Sequence, residues 1–372
     1  MLNKWRPIFW ARVTNHEYWP WYVLFVHLLP QYVYYSLRCR SWVWFTNLNP
    51  AIPLSGFFGE SKAAILAKIT PQYKPKAFFI DNPTAAPALE QTLAAAGIWY
   101  PFILKPDEGE RGNGVALIGS ALELELYLKQ TDYPLIAQEY VGLGYEFGVF
   151  YSKNPGVTTG EVISLTGKEF LAVLGDGAHT LAELVAATTR GLMQVERLGL
   201  EQDMTLVLPA GERRLLEPIG NHVRGTLFFD ASNLINEQVN SLFSAIAQDI
   251  EGFTFGRFDV RVQSLQGLQT GKGLHILELN GISSDPTHVY DPALSYWQVA
   301  CYLSKHVHRM FLLSQEQRNN GHSPATLANV RAEVRRHKAL LVERAQLIQM
   351  AVKTSTPGVP YPQQAEANLS LY

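Results

Sequence analysis

Phe102-Ile-Leu-Lys-Pro-Asp-Glu-Gly-Glu-Arg-Gly-Asn-Gly-Val115 is the stretch on which the fold turns. A short apolar strand ends in Lys105-Pro106, a loop carries Gly109, Gly112 and Gly114, and a second apolar run extends from Val115 to Ile118. Such a hairpin can close over a polyphosphate. Its glycines let backbone N–H groups approach the anion without a Cβ in the way, Lys105 adds a point charge, and Arg111 adds further donors. A plain surface turn has the same pattern, so the neighbouring segments decide between the two.

A chain of 372 residues, 47% hydrophobic and 17% charged, can bury a sizeable core divided between roughly two or three subdomains. The net charge of −2, with neither zinc-finger spacing nor an RNA-binding aromatic signature, argues against a nucleic-acid partner. Cys39 and Cys301 are far apart and lack a CxxC context, which fits reduced thiols on the cytoplasmic side of a cell.

Tyr18 to Leu37 is aromatic-rich and without formal charge, flanked by Lys4, Arg6, Arg12, Arg38 and Arg40 against the single acid Glu17. It lacks a signal-peptide plan. Pro20, His27, Pro30 and Gln31 interrupt it and its Trp and Tyr are spread throughout, which counts against a spanning helix. Two readings stay open: an interfacial segment drawn to anionic lipid on the inner face of the cell membrane, or a segment packed on the body or on a second subunit.

Further along, Ala63 to Ile69 reads as a short helix, 77–80 as a strand, and Ala85 to Ala96 as a helix stopped by Gly97. Ala121 to Gln130 is helical. The runs 135–141 and 146–151 read as strands joined by a Gly142/Gly144 break, either a simple hairpin or a pair presenting backbone to a flat heterocycle. Strands are expected at 161–165, 169–174, 201–209 and 213–217, a capping box at Thr180/Glu183, and a helix over 238–249. Asn221 and Arg224 are substrate or phosphate candidates, whereas His222 reads as structural.

The second informative cluster is Phe255-Gly-Arg-Phe-Asp-Val-Arg-Val262, whose alternation puts Arg257, Asp259 and Arg261 on one strand face. After a Gly/Gln-rich hairpin, Leu274 to Asn280 puts Glu278 and Asn280 on one face of the partner. One Asp, one Glu and one Asn suit Mg²⁺; a structural Arg–carboxylate pair is the alternative.

In order and spacing, these segments resemble the ATP-grasp superfamily over roughly residues 62–292. The relevant motifs are Lys105-Pro with its Gly-rich loop, Gln138-Glu-Tyr-Val with Glu146, Gly-Arg-Phe-Asp259 and Leu-Glu278-Leu-Asn280. Within the superfamily the chain resembles D-alanine:D-alanine ligases and, through Gly175-Asp-Gly-Ala-His-Thr-Leu-Ala-Glu-Leu184, the ATP-grasp part of cyanophycin synthetases. The resemblance implies an α+β fold of two subdomains clasping ATP and an ATP- and Mg²⁺- (or Mn²⁺-) dependent carboxylate–amine ligase working through an acyl phosphate. A phosphotransferase, or a nucleotide-binding membrane-associated module without turnover, is the alternative.

By the same resemblance Lys62 and Lys105 are the phosphate lysines, with Gly109, Arg111, Gly112 and Gly114 over the phosphates. Glu139 meets the adenine amino group, Tyr140, Val141 and Gly142 the ring edge, and Glu146 the ribose. Asp259, Glu278 and Asn280 hold the metal, and Arg257 neutralises the transferring phosphoryl. The residues before Lys62 carry no G-x-G-x-x-G signal, so the resemblance does not extend to the Rossmann-like lobe of those ligases. Beyond Asn280, Ser283, Ser284, His288 and Tyr290 are candidate acceptor contacts. The expected domains are 1–58 (aromatic-rich segment), 59–310 (ATP-grasp) and 311–372 (basic helix from Leu327 to Val352, then a tail); that helix is expected to present a solvated face, or to dock on lipid or on the N-terminal segment.

Overall fold

Residues 2–57, 61–109, 114–129, 131–142 and 144–352 are described by the computed structural model. The chain opens with helices α1 (Leu2–Thr14), α2 (Trp21–Phe25) and α3 (Leu29–Cys39). Pro20 is the residue before α2 and Pro30 lies in the first turn of α3, so the two prolines divide the aromatic run into short helices. Among the described residues no helix is long and apolar enough to cross a membrane.

The first lobe contains α4 (Lys62–Ala67), β1 (Ala77–Ile80), α5 (Ala86–Ala95), β2 (Phe102–Pro106), β3 (Ala116–Ile118), α6 (Ala121–Leu128) and β4 (Leu135–Glu139). Its antiparallel sheet has the order β1-β4-β2-β3. Phe102 and Leu104 alternate inward and bury against Leu89 and Leu93 of α5 and Leu124 of α6. The opening stretch is thus a true hairpin, with Phe102 opposite Ile118.

The second lobe follows with β5 (Tyr145–Ser152), β6 (Glu161–Glu169), β7 (Ala172–Leu174), α7 (Leu181–Ala186), α8 (Thr189–Leu192), α9 (Val195–Glu201), β8 (Arg213–Leu215), β9 (Leu227–Asp230), α10 (Glu237–Gln248), β10 (Phe255–Val262), α11 (Gly267–Thr270) and β11 (Leu274–Asn280). Its five-stranded antiparallel sheet has the order β11-β10-β5-β6-β9. Val239, Phe243 and Ile246 of α10 pack on Val149, Phe258 and Val260, and Ile65 and Leu66 of α4 join the same core. That seats the start of α4 beside β11.

The α+β class and the two sheet-based lobes agree with the expectation. Several local expectations do not hold. β4 and β5 are not a hairpin, because they belong to different sheets, and the Gly142/Gly144 break is the link between lobes. Gly144 has φ +106°, and a Cβ there would meet the Val262 carbonyl oxygen at 2.0 Å. Strand β6 runs on past Leu165 to Glu169, and the second expected strand is shortened to β7 (Ala172–Leu174). Residues 201–209 form no strand; α9 ends at Glu201, and Val207 makes only an isolated bridge to Thr180, whose capping box is formed. The hairpin expected after Val262 is formed, β10 pairing antiparallel with β11, and its connection holds the helical turn α11.

Helix α12 (Tyr296–Asn319), which the sequence reading does not anticipate, starts at a Ser295/Gln298 capping box and runs across residue 310. Helix α13 (Leu327–Val352) follows. The N-terminal segment is fastened to α12 and its flank. Asn47 Nδ2 donates to the carbonyls of Ser314 (3.1 Å) and His322 (2.8 Å), the Ala325 amide donates to Thr46 Oγ1 (2.8 Å), and Tyr35 stacks on Phe311 at 4.1 Å.

His306 of α12 is buried edge-on to Phe150 (4.7 Å) and tilted on Phe255 (5.0 Å). Burial, with repulsion from His288 second, pushes its pKa down to about 3. The unfolded chain therefore binds the extra proton below the ordinary histidine value, and the folded chain does not. Stability should fall as pH drops from about 6.5 toward 3, by up to about 5 kcal/mol from this group. His306→Met should flatten that part of a pH series of denaturation midpoints; an unchanged slope would locate the acid sensitivity elsewhere.

Candidate active site

The candidate residues come together from the start of α4, the end of β2 and the facing strands β5, β6, β10 and β11. Ser61 caps α4 by accepting the Ala64 amide, and Asp107, just past β2, accepts from Ser61 Oγ (3.0 Å) and the Ala63 amide (2.8 Å). This cap ties the first turn of α4 to the opening hairpin. Lys62 Nζ reaches the Gly109 carbonyl (2.5 Å) and lies 3.8 Å from Glu278 Oε1.

Lys105 is buried on β2, and its ammonium donates to the Leu277 carbonyl at 3.3 Å. Burial pushes its pKa down to about 8; Glu278 opposes the shift, and Lys62 reinforces it. Arg111 and Gly112 lie outside the described residues. Gly114 has φ +71°, and a Cβ there would meet the Pro106 ring at 2.8 Å. Arg336 of α13 pairs two-pronged with Glu108, at 3.1 and 3.0 Å, so the C-terminal helix reaches the loop rather than simply presenting a solvated face.

The antiparallel register sets Asp259 opposite Glu278 and Arg257 opposite Asn280. Both Asp259 oxygens are taken: Arg257 donates to each (3.1 and 3.2 Å), Lys168 to one (3.2 Å) and Asn280 Nδ2 to the other (3.1 Å). Burial pushes the Asp259 pKa up, but Arg257 and Lys168 outweigh it and hold the carboxyl at about 2. Arg257 also donates to the Asp285 carbonyl at 3.0 Å.

Glu146 is held by Lys168 (2.9 Å) on one oxygen and Arg261 (2.9 Å) on the other; burial works against its charged form, and the two cations outweigh it. Arg261 further donates to the Val141 carbonyl and stands 5.6 Å from the Tyr140 ring centre, fixing the inter-lobe link. Close approach also shapes this corner, since a Cβ on Gly220 would meet Glu146 Oε1 at 2.1 Å.

Of the remaining candidates, Glu139 is exposed at the end of β4 and accepts from the Lys76 amide (3.2 Å). Arg224 is held by Glu217 (2.8 Å), which also pairs with Arg197 (3.0 Å), and it touches the Val115 carbonyl (3.4 Å). Asn221 caps its own short turn through the Val223 amide (2.9 Å). Ser283 is exposed, Ser284 Oγ donates to the Gly281 carbonyl (2.6 Å), and Tyr290 donates to Asp285 (3.0 Å). His288 is buried edge-on to Tyr302 of α12 at 4.6 Å. His222 accepts the structural reading: its Nε2 lies 3.2 Å from Glu17.

Sequence reasoning missed Lys168 and Asp107. A carboxylate two residues past Lys105 is the signal that could have found Asp107, whereas Lys168 stands between Gly167 and Glu169 with no local signal to mark it.

Among the described residues, no group of three or more His, Cys, Asp or Glu gathers at a metal-binding distance. The proposed magnesium face has two carboxylates, with Asn280 as third oxygen donor. These residues fit a hard cation once Arg257 or Lys168 releases an Asp259 oxygen. Asp259 and Glu278 face each other in register, and Asn280 uses its nitrogen on Asp259, which leaves the amide oxygen to bind. Gly148 lies opposite Asp259 on β5, where a Cβ would stand 3.2 Å from Arg257 Cδ and 3.5 Å from Asp259 Oδ1. Gly148→Val should therefore push into Arg257 and Asp259, lowering turnover about a hundredfold for a stability loss of about 1–3 kcal/mol. Full activity in a steady-state assay would show that the floor of the site has room to spare.

No family model and no curated protein matches the chain. Among solved structures it is similar to a bifunctional glutathione synthetase from Pasteurella multocida, at 16% identity and a TM-score of 0.37, over 68% of this chain and 35% of that one. It is also similar to D-alanine–D-alanine ligase from Bacillus anthracis, at 13% identity and a TM-score of 0.39, over 70% of this chain and 69% of that one. The chain thus spans about a third of the length of the first.

Proposed function

We propose that the two lobes form an ATP-grasp cleft and that the chain is an ATP-dependent carboxylate–amine ligase working through an acyl phosphate. Lys105 carries the reading. It is a buried ammonium whose one hydrogen-bond partner among the described residues is a carbonyl at 3.3 Å, so the site holds a place for an anion. Around it Lys62, Lys168, Arg257 and Arg261 stand against Asp107, Glu146, Asp259 and Glu278, with Asp285 beside Arg257, so the cations and carboxylates of the site are matched once Lys105 is counted.

In this reading Lys62 and Lys105 bind and orient the triphosphate, and the 109–114 loop covers it to exclude water from a hydrolysable intermediate. A Mg²⁺ or Mn²⁺ held by Asp259, Glu278 and the Asn280 oxygen would supply further neutralisation of phosphate charge. The substrate carboxylate attacks the γ-phosphorus and ADP leaves. Arg257, exchanging Asp259 for the reacting group, neutralises the resulting acyl phosphate. An amine then attacks the acyl carbon, loses a proton, and phosphate departs. Arg261 and Lys168 keep Glu146 charged and in place.

The test is to give the purified protein ATP and a cell extract and follow ADP, free phosphate and mass-shifted products. Free phosphate released in step with an amide product supports the ligase. Phosphate retained on the product would replace it with a phosphotransferase, and nucleotide binding without turnover would replace it with a binding module.

A further inference from the structure

The N-terminal helices have two faces, and the body uses only one. Leu24, Leu28, Tyr35 and Cys39 point inward and bury with Val289, Val299, Leu303 and Trp44. On the outer side Trp21, Tyr22, Val26, Leu29, Tyr34 and Leu37 are each more than half exposed. Trp297, 80% exposed at the start of α12, belongs with them: its neighbour Tyr296 packs on Trp19 (5.2 Å) and its hydroxyl lies 3.3 Å from His27 Nδ1.

The charge on this segment is one-sided. Glu17 is the single acidic residue before Glu60, and it is buried in a pair with Arg190 (2.5 Å) and His222 (3.2 Å). Arg12, Arg38 and Arg40 are exposed and have no carboxylate partner among the described residues. In a chain with a net charge of −2, the exposed charges of this segment are therefore arginines alone among its described residues, alongside its exposed aromatics.

We propose that this face docks on an anionic lipid surface, with Trp and Tyr seated in the headgroup zone and the arginines on lipid phosphates. Trp and Tyr carry an apolar body and a polar edge, which suits that zone, and the short helices can lie in the interface plane. A second copy of this chain is the less suitable occupant, because a two-fold pairing would set arginine against arginine. The inward half of the segment packs on the body, so docking needs no unfolding.

The experiment uses the full chain and two variants, each altered only at exposed positions: Trp21→Ser with Tyr22→Ser and Leu37→Ser, and Arg12→Gln with Arg38→Gln and Arg40→Gln. All should melt as the parent does. The parent should co-sediment with vesicles of equal parts phosphatidylglycerol and phosphatidylcholine, with a blue shift in tryptophan emission, and bind pure phosphatidylcholine at least about tenfold more weakly. The apolar variant should lose about tenfold or more on the anionic vesicles. The arginine variant should lose roughly a hundredfold, at about fivefold per charge. No binding of the parent, or equal binding by parent and both variants, overturns the proposal. So does a parent dimer that the serine variant dissolves without any lipid binding.

Discussion

Lys105→Met should leave a folded protein whose ATP turnover is lower by about a hundred- to a thousandfold, the loss that follows removal of one positioned charge in a dry site. Methionine keeps most of the lysine stem and so the packing of β2, and it removes only the ammonium. The same substitution has a stability signature of known sign. In the folded chain the Lys105 pKa is pushed down to about 8, below the ordinary lysine value. Between those two values the unfolded chain holds a proton that the folded chain has released, so stability rises with pH through that window. Below pH 8 the buried ammonium costs about 3 kcal/mol. Lys105→Met should therefore melt higher than the parent at pH 7 and show a flatter stability profile from about pH 8 to 10.5. Denaturant titrations across that range measure it. Activity and stability lost together would mean that the ammonium serves the fold, and the phosphate assignment would fall.

Glu278→Gln is the second large expected effect, and it discriminates better than a change at Asp259. Glu278 is partly exposed, and its ion pair with Lys62 is long at 3.8 Å, so losing the charge should cost the fold under about 1 kcal/mol. Magnesium-dependent ATP affinity, measured by calorimetry with and without the metal, should fall at least about tenfold. Unchanged metal dependence would sink the magnesium face. Asp259→Asn is a different experiment. Lys168 and Arg257 share that carboxylate in a buried site, and neutralising it strands two cations at a cost of about 3–5 kcal/mol. Loss of function there reports on folding as much as on metal.

Legibility followed physical range. Strands 77–80, 255–262 and 274–280 were readable to the residue because alternation and flanking turns are local signals. The facing of Asp259 and Glu278 was readable for the same reason, since their strands pair across a short connection. Lys168 was not, because its role depends on β6 lying beside β5 in the sheet, a pairing that strand length and spacing leave undetermined. The 142–144 link failed for a related reason. Two strands with a glycine break between them look like a hairpin, and only tertiary partners send them to separate sheets. The partner of Arg224 was equally out of reach: buried Glu217 holds it, a pairing that the local run does not announce.

The bonds that fasten Thr46 and Asn47 to Ser314, His322 and Ala325 span 267 to 279 residues. Synthesis runs from the N-terminus, so residues 18–48 leave the ribosome with their binding partner still unwritten. At ordinary elongation rates the wait is on the order of tens of seconds. For that interval Trp44, fully buried in the finished molecule, and its aromatic neighbours have no core to enter. Whatever meets the nascent segment first, whether a chaperone, a membrane or another nascent chain, does so before the body exists to shield its inner face.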